Sequence, residues 1–198
     1  TIAQRLAERP LVTPLLASAV ELSTAAYRAL HVNGMSMQDA VTWLTASCAF
    51  PVAMPPVFHG HGGHWVDGGV HRVLPLLDAL EAHTRQEIYA DADEIDAILC
   101  SPPDAEPEPQ EPTSGLARLM RVVELATYQR AADDLRRAYL YWQRMDHRPR
   151  VRVWWPSAVP TEDPMRFDPG EIRDGLRQGA GDAGAVRWVF GEEVPTWL

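Results

Sequence analysis

Residues 57–70 read Val57-Phe58-His59-Gly60-His61-Gly62-Gly63-His64-Trp65-Val66-Asp67-Gly68-Gly69-Val70. Apolar pairs, Val57-Phe58 and Trp65-Val66, flank a centre rich in glycine and histidine, which is the pattern of a β-hairpin. The second arm runs straight into Asp67-Gly68-Gly69. An Asp-Gly pair alone is only a turn signal. Here it follows an apolar strand, and open α/β sheets gather their sites at the carboxyl ends of strands. Two glycines let the backbone turn sharply and leave room beside the carboxylate for a substrate. Asp67 is therefore a candidate functional residue, with Gly68 and Gly69 as candidate substrate-binding positions.

Working upstream, Pro51, Pro55 and Pro56 interrupt both helix and ladder and make an irregular entry to the hairpin. Before them, Ser36-x-x-Asp39 opens a helix as a capping box, and the helix runs through Ala40, Val41, Trp43 and Leu44 to about Cys48. Trp43 reads as core. Residues 13–22 and 26–30 read as two strands joined by the turn Ser23-Thr24-Ala25. Downstream, 74–83 is helical with Pro75 in its first turn. Residues 95–100 form a short buried strand, and 102–115 is an acidic, proline-rich loop that cannot bury enough apolar surface to fold alone. The longest helical spacing runs over 116–146 (Leu116, Leu119, Val122, Val123, Ala126, Tyr128, Leu135). Its many arginines suit a membrane-surface helix, but an outer helix packed on a sheet is the commoner arrangement. Residues 151–155 read as a strand, and Asp168-Pro169 starts a last helix as N-cap and N1. Strands alternating with helices define an α/β layered domain.

Composition narrows the chemistry. A net charge of −9 lacks the basic footprint of a nucleic-acid binder. All 18 basic residues are arginine, so lysine chemistry of every kind is excluded. Cys48 and Cys100 are too few for a disulfide framework or a four-cysteine zinc site, and both are expected to be buried free thiols of a reducing compartment. His59, His61 and His64 sit at a hairpin tip with Asp67 as the one nearby carboxylate; a solvated turn is favoured over a metal site. Gly179-Ala180-Gly181-Asp182-Ala183-Gly184 matches the dinucleotide spacing, but it follows a helix instead of opening one, and a glycine C-cap is expected there. The most apolar stretch, 43–58, is broken by three prolines and is too short to span a bilayer.

The spacing of Ala46-Ser47-Cys48-Ala49-Phe50-Pro51, Pro55-Pro56-Val57, Trp65-Val66-Asp67-Gly68-Gly69-Val70 and Leu74-Pro75 resembles the patatin-like serine acyl hydrolases. The resemblance implies a three-layer α/β/α fold with a mainly parallel central sheet, of which residues 1–198 would be the C-terminal portion of one domain. It implies a Ser-Asp dyad without histidine or cofactor, in which Asp67 serves a lipid or other acyl-ester substrate. It also implies a cytoplasmic protein in transient contact with a membrane surface. The Gly-x-Ser-x-Gly nucleophile motif is absent: Gly34-Met35-Ser36-Met37-Gln38 fails at its last position. The expectation is that the serine and the oxyanion loop belong to a segment preceding Thr1, and that this polypeptide alone is inactive. The alternatives are a non-catalytic lipid- or protein-binding module and a metal protein built on the histidine tip.

Overall fold

The computed structural model describes residues 14–51, 54–58, 63–85, 92–103, 114–157 and 168–198. The chain divides into two compact units, 1–78 and 79–198.

The first unit holds β1 (Leu16–Glu21), β2 (Tyr27–His31), α1 (Met37–Ser47), β3 (Val57–Phe58) and β4 (His64–Asp67). The strands form one sheet in the order β2-β1-β4-β3, and every pairing is antiparallel. For β1–β2 and β3–β4 the connections are too short for anything else, since parallel neighbours need a crossover of a dozen residues or more. Ser36 caps α1 by accepting the Asp39 amide at 3.1 Å, as the capping pattern requires. Alternation along β1 turns Ala17 and Ala19 towards α1, and their small size lets the helix come close. Trp43 is 1 % exposed, donates its indole N–H to the Ala17 carbonyl at 2.9 Å, and meets Trp65 of β4 edge-on at 5.1 Å.

α2 (Leu76–Thr84) begins at the end of the first unit. The second unit then holds β5 (Glu94–Ile98), α3 (Gly115–Trp142), β6 (Arg150–Trp154), α4 (Pro169–Asp182) and β7 (Trp188–Val189). β5 and β6 are parallel, from Glu94↔Arg150 to Ile98↔Trp154, because α3 intervenes; β7 closes the sheet antiparallel to β6. One sheet face buries Ala97, Val151, Val153 and Trp188. Tyr139 of α3 packs its ring 5.2 Å from both Trp188 and Phe190. The other face carries an ion-pair ladder, with Arg152 on Asp96 at 2.7 Å and Arg150 on Glu94 at 3.4 Å.

The α/β class stands, but the expected mainly parallel central sheet is corrected. Two sheets are present among the described residues, and only β5–β6 is parallel. The strand over 95–100 is half-buried, alternating instead of continuously buried, because only one face is covered. Both cysteines are free but exposed: Cys48 caps α1 and Cys100 lies just past the end of β5. The helix over 116–146 forms as α3, with Tyr128, Ala131, Leu135 and Ala138 buried, whereas Leu119, Val122 and Val123 stay exposed. Asp168 caps α4 as the sequence requires, accepting the amides of Gly170 and Glu171 at 2.8 and 3.0 Å. At its other end the glycine cap is corrected. Gly179 and Gly181 lie inside the last turn, and Ala183 caps the helix in right-handed geometry.

Candidate active site

Asp67 is the last residue of β4, paired with Ala19 of β1. Its amide donates to the Ala49 carbonyl at 3.0 Å, so the segment that leaves α1 is tied to the end of the strand. Two stretches far apart in sequence, Ala46–Pro51 and Asp67–Gly69, thereby become one structure. The half-buried Asp67 caps a single 3-10 turn, Gly68–Val70: its Oδ1 accepts the Gly69 amide at 2.7 Å. Oδ2 has no hydrogen-bond partner among the described residues.

The two glycines serve different ends. Gly68 is buried against β1; a Cβ there would overlap the Ser18 hydroxyl and lie 2.7 Å from the Ser18 carbonyl oxygen. A Cβ on Gly69 would stand 3.1 Å from Asp67 Oδ1, so its absence keeps the space beside the carboxylate open.

Side chains that no motif singles out hold this turn. The amides of His71 and Arg72 donate to the Gly68 carbonyl at 2.9 Å. Arg72 pairs with Asp78 at 2.6 Å and lies 4.8 Å over the Tyr27 ring, and Tyr27 donates its hydroxyl to Asp78 at 2.8 Å. Burial pushes the Tyr27 phenol up, with Asp78 adding to the effect, so it remains a neutral donor. The sequence gives no warning of this cluster, because strand register and a turn, not spacing, bring its members together.

Further along β1, Glu21 is 7 % exposed and holds the β1–β2 turn. Its carboxylate accepts the Thr24 hydroxyl at 2.6 Å, the Thr24 amide at 2.8 Å and the Ser23 hydroxyl at 2.7 Å. Those bonds, Thr24 first, hold its pKa down to about 2. Gly63, at φ +103°, passes over this side chain; a Cβ would lie 2.8 Å from Glu21 Cγ.

Of the histidines, His64 is exposed on β4, its ring 5.9 Å from Phe58, while His59 and His61 lie outside the described residues. Among the described residues no group of three or more His, Cys, Asp or Glu is placed to hold a metal. No described helix is long and apolar enough to cross a membrane. Most of the acidic loop, from 104 to 113, also lies outside the described residues.

Fold and site together define an α/β protein with a carboxylate at a strand end, on a glycine turn. Residues 8–80 match the family model of patatin-like phospholipases, a likeness confined to that stretch. That family is one of esterase and phospholipase hydrolases, and the matched stretch contains Asp67, both of its glycines and the Tyr27–Arg72–Asp78 cluster. No curated protein and no solved structure matches the chain.

Proposed function

We propose that Asp67 is the base of a Ser-Asp dyad in a lipid acyl hydrolase of the phospholipase A or esterase type, with the serine contributed from outside these 198 residues. As the serine oxygen attacks the ester carbonyl, Asp67 accepts the hydroxyl proton and passes it to the leaving alcohol. It then takes a proton from the water that attacks the acyl-enzyme and returns it to the serine. Asp67 itself carries this reading: one carboxylate oxygen is fixed by the Gly69 amide and the other has no protein partner among the described residues. A fixed oxygen sets the rotamer, and an open one can take a proton.

A lipid substrate calls for contact with a membrane surface. We assign that contact to the first half of α3, where Leu119, Val122 and Val123 are exposed on a helix that also carries Arg118 and Arg121. Sedimentation with anionic vesicles should fall in the Val122→Asp variant; unchanged sedimentation removes the assignment.

The test of the dyad joins this chain to a segment bearing Gly-x-Ser-x-Gly. The joined protein should be labelled by a fluorophosphonate and should hydrolyse short-chain esters. Asp67→Asn should cut kcat by roughly 10³–10⁴-fold, as loss of one member of a cooperative catalytic set does. Full activity in Asp67→Asn would sink the proposal. So would ester hydrolysis by the 198-residue chain alone that survives the same substitution. The absence of Gly-x-Ser-x-Gly in this chain favours a second reading, a non-catalytic lipid- or protein-binding module, for which the joined protein would remain unlabelled.

A further inference from the structure

A cavity of about 430 Å³ opens at the carboxyl ends of the parallel strands β5 and β6, and the described residues that line it all belong to the second unit. Ile98 and Leu99 continue from β5, Trp154 and Trp155 from β6, and the last turn of α4 contributes Gly179. The volume falls among small-molecule sites, roughly 300–1,000 Å³. Ligands of open α/β sheets gather at this end of parallel strands.

Charge at the margin is already matched. Asp96 is held by two bonds from Arg152, at 2.7 and 3.0 Å. Asp182 accepts the Ser157 amide at 2.9 Å and pairs with Arg187 at 2.9 Å. These bonds lower the Asp182 pKa, the Ser157 amide foremost. Neither carboxylate is left to attract a cation, and the arginines that face them are occupied in turn. The remaining lining is mostly aliphatic and indole.

Two details show unfilled room. Ile98 is 71 % exposed although it sits on a parallel strand, and such strands are ordinarily covered on both faces. Gly179 lies inside a helix, where glycine is disfavoured, yet a Cβ there would meet no atom within 4 Å. The missing side chain is therefore not needed for packing.

We propose that this cavity binds an uncharged apolar small molecule of roughly a dozen non-hydrogen atoms, taking about 30 Å³ for each. The inference does not depend on the role of Asp67 and extends to a part of the chain outside the family match.

The experiment titrates the full 198-residue chain with 1-hexanol, 1-octanol and 1-decanol, followed by calorimetry. Quenching by 10-bromo-1-decanol reports contact with tryptophan. Affinity should rise about fourfold for each methylene buried, hence roughly tenfold or more between successive alcohols. Gly179→Leu fills the cavity from a position with free space around it, and Ile98→Asp places a charge on its lining at an exposed site. Each should weaken 1-decanol binding at least tenfold while circular dichroism stays unchanged. In a Cys48→Ser background, bound 1-decanol should slow alkylation of Cys100, which lines the same cavity. Absence of binding by the unaltered chain would overturn the proposal. So would affinity in both variants equal to that of the unaltered chain, or alkylation of Cys100 indifferent to the alcohol.

Discussion

The two sheets spend their polar residues in opposite ways. In the first unit, Glu21, Asp67 and Asp78 fold back on amides, hydroxyls and Arg72 beside the strands, and Gly63 and Gly69 sit where Glu21 and Asp67 leave little space. In the second, Glu94, Asp96, Arg150 and Arg152 stand on an open sheet face and pair with one another. Individual glycines differ likewise: Gly68 is pressed against Ser18, whereas Gly179, Gly181 and Gly184 have nothing within 4 Å of an added Cβ among the described residues. Equal composition therefore carries different weight. A glycine or a carboxylate constrains the fold only as far as its neighbours are fixed.

Substitutions on the two sheets test that contrast. The largest effect is expected at Trp43, 1 % exposed between α1 and β1: Trp43→Ala should destabilise by about 3–5 kcal/mol in denaturant unfolding. Ile98→Ala, on the open face, should stay within about 0.5 kcal/mol, as surface changes do. Comparable losses at both positions would break the comparison. Gly68→Ala should cost about 3 kcal/mol, since its Cβ would press on the Ser18 backbone.

Glu21 gives a test by pH. Its folded pKa of about 2 lies below the ordinary value of 4.5, so its contribution is full above pH 4.5 and fades as pH falls towards 2. Glu21→Gln should lose less stability than the unaltered chain across that window; parallel acid curves would remove Glu21 from the account. The one effect of opposite sign belongs to Gly179→Ala. Inside α4 and free of neighbours, it should raise stability by about 0.5–1 kcal/mol.

Local chemistry was legible in the sequence. The Ser36 and Asp168 caps, the hairpin arms on either side of the histidine tip, and Asp67 at a strand end all depend on residues a few positions apart. Long-range geometry was not. Nothing in the spacing of Ser18, Tyr27, Arg72 and Asp78 foretells their convergence on the Gly68 turn. The period of two in 94–98 marks a covered face without saying that the other stays open. Cys48 and Cys100, apolar by habit, are exposed because each sits where an element ends. β7 went unread for want of length: a strand of two residues has no period to detect.

The parallel register of β5 and β6 also sets an order of assembly. Val20 and Tyr27, paired across the first hairpin, are seven residues apart, whereas Glu94 and Arg150 are 56 apart. That is three doublings of loop length, an added closure cost of about 2 kcal/mol that must be met before any contact rewards it. During synthesis at roughly 5–20 residues per second, β5 would wait about 3–11 s for its partner to emerge. Over that interval its edge is unpaired, which leaves the nascent second unit exposed to mispairing with its neighbours.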